Sequence, residues 1–508
     1  MLLNLMVNNG GALKLENNSK TFSAPTGFTA IDALGATLEN DINMIPYYNR
    51  GTTNKFYMKA GHSGTGKTTL AIQSNCSSVD WWNSRYPETE PSDFIFIDSE
   101  DNTTINRVQD LSHWSYEYIN KHFVLEKMVD LKNIYNYILK IVDMKNKNKE
   151  KFYVETNMLD INGKPLKTWA TTYVLIDSIA AIKSGTGLDN LDRDRVGDIK
   201  EADISQNIDA MREAKANTDF IMKMKPLCNE YGIKLDIINH ITEEQKFGMF
   251  DIPKRVLTTL KPGEKMRGGY ELIYQAFGID RVTLKERLNE RNPLYGEGID
   301  GMINEFMYIK SKNLGEGLPY RMVMDKREGY KPELSDFEYL FTVNYGINGA
   351  GVSMSLAILP EVKFSRKTLE EKCRAHPELA RALQFTAKTH IIYTLLLDKK
   401  EGPSLSGVIN LPYEARVALI FNMTNRYPGY GHETISEELA LALYNGKKFI
   451  SDSDVPLNDT YLSEDILAAL CEEEHTPAFV PTFGMDSLIT PFSNKEDYII
   501  DDEFWIKK

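Results

Sequence analysis

The sequence predicts an α/β fold in which a mostly parallel sheet carries helices on both faces, followed by a mostly helical C-terminal domain. Three observations lead to this prediction. Four short runs have the apolar, β-branched and aromatic composition of strands that are buried on both faces. Segments long enough for helices separate these runs, which is the alternation that builds a parallel sheet. After about residue 345 the apolar pattern becomes that of helices.

One predicted insertion interrupts the series of four predicted strands. Between the second and third strands, the Asn162-Gly163 pair suits a tight turn that needs positive φ angles, so we predict a surface β-hairpin over Lys151–Ala170. The predicted strands are Lys55–Met58, Phe94–Asp98, Tyr173–Asp177 and Lys234–Asn239.

The C-terminal part contains two stretches with a helical pattern, Arg366–Leu397 and Ser436–Gly446, and many carboxylates after Ser451. We therefore divide the chain into three parts. They are an N-terminal segment (1–24), an α/β core (25–345) that includes the hairpin at 151–170, and a C-terminal domain with an acidic tail (346–508).

Composition limits the classes of protein to consider. A chain of 508 residues can form two or three domains with a sizeable core. Its four cysteines lie far apart, which argues against a disulfide framework and for a reducing compartment. No apolar run reaches membrane-span length, so we expect a cytoplasmic protein. Because the net charge is −13, any nucleic-acid binding has to depend on a local basic patch.

A glycine-rich segment follows the first predicted strand and matches the phosphate-loop pattern GxxxxGK[ST] without a gap. Glycines let successive backbone N–H groups converge on phosphate oxygens at the start of a helix. Lys67 is expected to reach the β- and γ-phosphates, and the Thr68 hydroxyl to bind Mg²⁺. The predicted cofactors are therefore ATP and Mg²⁺. The predicted loop residues are Gly61, His62, Ser63, Gly64, Thr65, Gly66, Lys67, Thr68 and Thr69.

Two carboxylates at predicted strand ends complete the nucleotide site. Asp177 ends the third strand and is the expected second Mg²⁺ ligand. Glu100 follows the second strand and is a candidate base for the attacking water. Asp98 and Asp101 are close alternatives to Glu100.

The order of these and later motifs resembles the RecA-type strand-exchange recombinases, most of all their phage UvsX branch. The resemblance covers roughly residues 25–330, and the motifs in sequence are more specific together than the phosphate loop alone. The matching segments are "TGFTAIDALGA" (26–36), "GHSGTGKTT" (61–69), "FIDSEDN" (96–102), "VLIDSIAAI" (174–182), "IINHITEEQKFGMF" (237–250), "MRGGYELIYQAFGIDRV" (266–282) and "YIKSKN" (308–313).

The resemblance implies a RecA-like core with ATP bound between adjacent subunits of a helical filament. Glu100 and Lys67 would then act from one subunit, and Lys310 and Lys312 from its neighbour. His240 would sense the γ-phosphate and pass its presence to the following loop. The alternative for His240 is a hydrogen-bonded histidine at the end of a strand. The alternative for Lys310 and Lys312 is a pair of lysines on an exposed strand face.

Two loops are candidate single-stranded-DNA sites. The second, Glu243–Arg267, has six cations and four carboxylates, a net charge of +2, with interleaved apolar residues that could stack on bases. The first, Lys183–Glu201, has a net charge of −1 and offers Arg193 and Arg195. An ordinary flexible loop remains the alternative for the second. Its candidate DNA-binding residues are Lys246, Phe247, Phe250, Lys254, Arg255, Lys261, Lys265 and Arg267.

The expected function is that of a DNA-dependent ATPase that forms a filament on single-stranded DNA and exchanges strands with homologous duplex DNA, in a phage. A recombination mediator or a single-strand-binding protein is a further expected partner. "ALKLE" (12–16) is a candidate strand for addition to a neighbouring subunit's sheet. Two alternatives stay open, a ring-forming RecA-fold helicase or related ATPase, and a structural or regulatory filament protein switched by ATP.

Overall fold

The computed structural model contains two long undescribed regions, 1–22 and 392–497, and several short ones. Predictions that fall on these residues lie outside the described part of the chain. The described residues are 23–35, 37–40, 46–49, 52–86, 91–159, 165–182, 199–243, 257, 259–289, 291–296, 299–312, 315–356, 359–376, 379–380, 382–384, 386–387, 390–391, 498–500 and 505–507.

The described part is a mixture of strands and helices. The strands are β1 (Ser23–Ala24), β2 (Thr37–Asn40), β3 (Pro46–Asn49), β4 (Thr52–Thr53), β5 (Phe56–Gly61), β6 (Asp93–Asp98), β7 (Phe123–Glu126), β8 (Tyr153–Leu159), β9 (Pro165–Trp169), β10 (Thr172–Asp177), β11 (Ile233–Glu243), β12 (Glu264–Met266), β13 (Gly278–Leu288), β14 (Gly301–Ser311), β15 (Tyr320–Asp325), β16 (Gly329–Lys331), β17 (Ile347–Ala350), β18 (Ser353–Leu356), β19 (Leu359–Phe364), β20 (Tyr498–Ile500) and β21 (Trp505–Lys507). The helices are α1 (Thr29–Leu34), α2 (Lys67–Arg85), α3 (Ile105–Ser112), α4 (Tyr116–His122), α5 (Leu131–Lys147), α6 (Lys149–Phe152), α7 (Ile199–Tyr231), α8 (Tyr270–Gln275), α9 (Pro332–Val343) and α10 (Leu369–Ala375).

A large central sheet organises the fold, with the order β16-β15-β14-β13-β5-β11-β10-β6-β7. The strands from β13 to β7 along this order are parallel to their neighbours. The strands β14, β15 and β16 extend the sheet in antiparallel fashion. The predicted α/β class is therefore confirmed, and each of the four predicted strands lies within or overlaps an observed one.

Alternation along the central strands explains why both faces of the sheet carry helices. In β6, Ile95 and Ile97 pack in one hydrophobic cluster with α5, α7 and α8, whereas Phe94 and Phe96 pack in another with α2, α3 and α4. Successive side chains of a strand point to opposite faces, so a wholly apolar strand needs cover on both. Each face of the parallel strands is thereby removed from water.

The region predicted as a hairpin contains the antiparallel pair β8 and β9. Its turn, including Asn162-Gly163, lies outside the described residues. None of the described helices is both long and apolar enough to span a membrane.

The predicted C-terminal domain begins with strands that come before the first predicted helical stretch, Arg366–Leu397. Ile347–Phe364 forms three short antiparallel strands, β17, β18 and β19. A 3₁₀ turn over Arg366–Thr368 and the short helix α10 follow, and every described position from 379 to 391 is helical. Strands of four to six residues leave too short a pattern to identify beside longer helical stretches.

This C-terminal segment packs on the core. Leu356 and Phe364 belong to the same hydrophobic cluster as Leu70 of α2 and Phe306 of β14. A boundary near residue 345 therefore does not separate two independently packed cores within the described part of the chain.

Candidate nucleotide-binding site

The parallel register brings several predicted site residues to one edge of the sheet. His240 of β11 lies opposite Gly61 of β5. Asp177 of β10 lies opposite Asp98 of β6. Because these are the carboxyl ends of parallel strands, the loops that follow them converge at the same place.

The phosphate-loop segment runs from the end of β5 directly into helix α2, which begins at Lys67. Gly64 and Gly66 have φ angles of +73° and +79°, a conformation that other residues rarely adopt. A Cβ added at Gly64 would meet nothing within 4 Å, whereas one at Gly66 would lie 2.6 Å from the sulfur of Met324. The loop therefore has an open side, on which His62 and Ser63 are exposed, and a packed side.

The packed side contains residues that the sequence did not single out. Asn304 Nδ2 and Tyr330 Oη donate hydrogen bonds to the carbonyl oxygen of Thr65, at 3.1 and 3.2 Å. Gln73 of α2 accepts a 2.7 Å hydrogen bond from the backbone N–H of Tyr330. These contacts hold the loop against β14 and β16. No local motif marks them, because the residues are more than 200 positions apart in sequence.

Lys67 is buried at the first position of α2. Its Nζ donates a 2.7 Å hydrogen bond to the carbonyl oxygen of His62, within the phosphate loop. Burial lowers the pKa of Lys67 to about 8, although the nearby carboxylates of Asp177 and Glu100 oppose the shift. The ammonium group is thus held among loop atoms, beside the open side that the predicted phosphates would occupy.

The two predicted Mg²⁺ ligands are in direct contact. Thr68 Oγ1 donates to Asp177 Oδ2 at 2.5 Å. Burial raises the pKa of Asp177 to about 6, and the hydrogen bond from Thr68 partly opposes it. Hydroxyl and carboxylate oxygens suit Mg²⁺, which takes few protein ligands and keeps waters and phosphate oxygens. Among the described residues no cluster of three or more acidic, His or Cys side chains forms a metal cage, and Mg²⁺ with phosphates needs none.

The three neighbouring carboxylates after β6 have different surroundings. Asp98 is buried and accepts hydrogen bonds from the backbone N–H groups of Glu100, Asn102 and Thr103, at 2.8 to 3.1 Å. Asp101 is exposed and pairs with Lys127. Glu100 instead turns toward β10, where Ser178 Oγ donates to its Oε1 at 2.5 Å. Of the three carboxylates, Glu100 is the one whose side chain hydrogen-bonds to Ser178, the residue after Asp177.

His240 lies beside Glu100, with 3.7 Å between His240 Nε2 and Glu100 Oε1. Burial, together with the positive charge of Lys67, lowers the pKa of His240, so its imidazole is neutral at pH 7. The site therefore brings together Lys67, Thr68, Asp177, Glu100 and His240.

Asn239 connects this site to the end of the predicted second loop. It is fully buried, and its Nδ2 donates a 2.8 Å hydrogen bond to the carbonyl oxygen of Arg267. Its Oδ1 accepts a 2.7 Å hydrogen bond from the backbone N–H of His240. One side chain thereby joins the histidine to the far end of the loop.

The two ends of the second loop are paired as strands. β11 and β12 are antiparallel, with Ile241 opposite Met266. Arg281 of β13 makes two hydrogen bonds, of 2.7 and 2.8 Å, to the Glu264 carboxylate. Lys261, Lys265 and Arg267 are exposed there. The other predicted DNA-binding residues, Lys246, Phe247, Phe250, Lys254, Arg255, Arg193 and Arg195, lie outside the described residues.

Lys310 and Lys312 are at a different place in the chain. Lys310 Nζ donates to the carbonyl oxygens of Ile273, Tyr274 and Ala276, at 2.5, 2.7 and 3.0 Å, and so caps the C-terminal end of α8. Burial, then the charges of Lys312 and Lys225, lower the pKa of Lys310 to about 8. Lys312 is exposed. Within the described part, neither lysine contacts the phosphate loop.

Comparison with known proteins gave no relative: no family model matches the chain, and no curated protein matches it either.

Proposed function

We propose that the chain is an ATP-dependent DNA recombinase of the RecA type, closest to the phage UvsX branch. It would form a filament on single-stranded DNA and exchange strands with homologous duplex DNA. The observation that carries the proposal is the convergence of Lys67, Thr68, Asp177, Glu100 and His240 at one edge of a mostly parallel sheet. These five residues include each group that hydrolysis of ATP requires from one subunit.

Each residue has a separate task in the proposed reaction. The phosphate-loop N–H groups and Lys67 hold the β- and γ-phosphates, and Thr68 and Asp177 hold the metal ion. Bound Mg²⁺ supplies positive charge to the phosphate oxygens. Glu100 orients the attacking water and accepts its proton, and the Ser178 hydrogen bond fixes the carboxylate for that purpose. The neutral His240 next to Glu100 reports whether the γ-phosphate is present.

The proposed link between hydrolysis and DNA passes through Asn239. A shift of His240 toward a γ-phosphate would act on the Asn239 side chain, which holds the Arg267 carbonyl. The exposed cations Lys261, Lys265 and Arg267 at the loop base would then move relative to a bound strand. Nucleotide state and DNA affinity would be coupled by this short path.

The most direct test is the ATPase rate of the purified chain with and without single-stranded DNA. We expect strong stimulation by DNA, loss of hydrolysis in Glu100→Gln, and near-normal activity in Asp101→Asn, whose carboxylate faces Lys127. Equal rates with and without DNA would favour the alternative of an ATP-switched filament. Closed rings on every substrate in electron micrographs would favour a helicase-type assembly.

A shared site between subunits can be tested by mixing variants. Lys310 and Lys312 would approach the neighbour's γ-phosphate, which requires Lys310 to leave the carbonyls of α8. Lys67→Ala and Lys310→Ala proteins should each be inactive alone. A mixture creates some interfaces with both lysines intact, so partial recovery is expected. No recovery at any ratio would contradict a shared site.

A further inference from the structure

Helix α5 presents a stripe of three lysines and one asparagine that the proposed ATP and single-strand sites do not use. Its buried side consists of Leu131, Ile134, Ile138, Val142 and Lys145. Lys132, Asn136, Lys140 and Lys147 are exposed on the opposite side. At 3.6 residues per turn these four positions fall within about 80° of each other around the axis. We call them the α5 stripe.

The stripe extends along the whole helix. Lys132 and Lys147 are 15 positions apart, which corresponds to about 22 Å at the rise of an α-helix. The helix start is fixed, because Asp130 Oδ1 accepts a 2.9 Å hydrogen bond from the backbone N–H of Asn133. The stripe is therefore a straight row of donors on a regular element, and the exposed Asp143 carboxylate lies on the same face.

The stripe is basic although the chain is acidic. The segment 127–151 contains seven lysines and three aspartates or glutamates, within a chain of net charge −13. Lys145 is buried, and Lys127 pairs with Asp101. On the exposed face of the helix, Lys132, Lys140 and Lys147 stand against Asp143, a net charge of +2. Among the described residues, Lys132 and Lys140 have no ion-pair partner. Lys147 pairs with Asp143 at 2.6 Å, but both side chains are more than 60% exposed, so solvent weakens the pair.

The surface continues past the helix end into the inserted hairpin. Lys149 lies over the ring of Tyr153, with 5.2 Å between its Nζ and the ring centroid. Lys167 of the hairpin is exposed and pairs with Glu155 at 3.4 Å. The insertion thus adds further cations to the end of the stripe.

We propose that the α5 stripe binds the phosphate backbone of double-stranded DNA. Lysine and asparagine donors suit phosphate oxygens, which carry most protein–DNA hydrogen bonds. Single-strand sites depend on aromatic side chains that stack on bases, and in this surface Tyr153 is the one exposed aromatic residue among those described. A straight, aromatic-poor row of about 22 Å fits a stiff duplex better than a flexible strand. This inference rests on the proposed function, because it assigns the duplex partner of strand exchange to a surface separate from the ATP site and the single-strand loops.

The test measures duplex binding by the full-length protein without nucleotide, over a range of salt concentrations. Lys132→Gln, Lys140→Gln and Lys147→Gln are combined in one stripe variant. The control variant combines Lys285→Gln, Lys363→Gln and Lys367→Gln, and so removes three positive charges from another part of the surface. Lys285 pairs with Glu305, which matches the pairing of Lys147 with Asp143 in the stripe. The slope of log K against log salt is negative, and each lost phosphate contact reduces its magnitude by about 0.9. We therefore expect the magnitude to decrease by about 2 to 3 in the stripe variant, with duplex binding at least about tenfold weaker.

The outcomes separate this inference from the ATPase proposal. Single-strand-stimulated hydrolysis should be unchanged in the stripe variant, and its absence from the wild-type protein would contradict only the ATPase proposal. Equal duplex affinity and salt slope in stripe and control variants would overturn the stripe assignment. The assignment would also be overturned if the stripe variant lost single-strand binding as strongly as duplex binding. Polyglutamate serves as a probe for an acidic polypeptide partner, and loss of its binding with duplex binding kept would overturn the assignment as well. Unchanged thermal melting verifies that the stripe variant is folded.

Discussion

Lys67 is a buried lysine whose pKa of about 8 lies close to the working pH of most enzymes. A phosphate group binds the protonated amine, so ATP affinity should fall as Lys67 loses its proton in the free protein. We expect nearly constant affinity from pH 6.5 to 7.5, followed by a loss of up to about tenfold per pH unit above pH 8. Titration with a fluorescent ATP analogue between pH 6.5 and 9.5 measures this dependence.

Lys67→Arg is the matched control for the pH dependence. The guanidinium group stays charged throughout this range. The Lys67→Arg variant should bind ATP more weakly than the wild-type protein, and its affinity should not change with pH. An equally steep fall in Lys67→Arg would assign the dependence to another group.

Asp177 is stabilised in its protonated form when no metal ion is bound. Its pKa is about 6 in the fold, above its ordinary value near 4, so the folded chain binds more protons than the unfolded chain between these values. The contribution of Asp177 to stability therefore decreases as pH rises from about 4 to 6. Asp177→Asn removes this cost of about 3 kcal/mol, so the nucleotide-free protein should melt a few degrees higher at pH 7.5.

The same substitution should abolish Mg²⁺-dependent hydrolysis, because it removes a metal ligand. Differential scanning calorimetry and an ATPase assay test the two expectations together. Asp101→Asn, at the exposed carboxylate beside Lys127, should change neither the melting temperature nor hydrolysis appreciably. A lower melting temperature for Asp177→Asn than for the wild-type protein would contradict the assignment.

The three carboxylates at the end of β6 show that a sequence motif can locate a group of candidate catalytic residues without selecting one of them. Asp98, Glu100 and Asp101 fall within four positions, and composition favours none of them. The ranking depends on which backbone N–H groups turn toward Asp98 and which way Glu100 points, and both follow from the loop conformation. The family resemblance implies Glu100, and its position beside Ser178 and His240 is consistent with that role.

At the scale of elements, the short strand β12 depends on few contacts. It has three residues and pairs only with β11 in the described sheet. Although burial opposes it, the hydrogen bonds from Arg281 lower the pKa of Glu264. The ion pair, with side chains 9% and 7% exposed, therefore fixes the end of the second loop to β13.

Removing one partner of the Glu264–Arg281 ion pair should lower the free energy of unfolding more than replacing both partners with apolar residues. Arg281→Met leaves a buried carboxylate without its cation, which costs about 3 kcal/mol. The double variant Glu264→Leu/Arg281→Met should be closer to the wild-type protein, because no uncompensated charge remains. Urea denaturation of both proteins measures the difference. A double variant less stable than Arg281→Met would contradict a buried ion pair.

The strands that the apolar pattern identifies differ in composition from those that it does not identify. β6 and β10 are nearly continuous apolar runs, which identifies them without any tertiary information. β13 reads "GIDRVTLKERL", with five charged residues, and has no clear period. Its charges are accommodated by partners on other strands, such as Asp280 with Lys59 at 2.7 Å. Because these partners are more than 200 positions away, no local pattern reveals the strand.

At the scale of the whole molecule, the described residues after 345 add what the sequence did not predict, their packing on the core. A change of pattern near residue 345 suggested a separate helical domain, yet β17 to β19 and α10 share a hydrophobic cluster with the core. The sequence pattern indicates where helices replace strands, but it does not indicate which surface of the core a segment packs against. The continuous cluster makes the segment up to α10 part of the structure that supports β14 to β16.

Arg366 is the residue that should reveal this attachment. Its guanidinium carbon lies 4.1 Å from the ring centroid of Phe341, and its Nη2 lies 3.0 Å from a carboxylate oxygen of the buried Glu338. Arg366→Ala removes both contacts, so we expect a loss of about 2 to 4 kcal/mol and faster proteolysis after residue 345. Arg374→Ala, which removes an exposed pair with Glu370, should cost less than about 1 kcal/mol. Urea denaturation and limited proteolysis of both variants decide the matter, since equal, small effects would mean that the C-terminal segment is only loosely attached to the core.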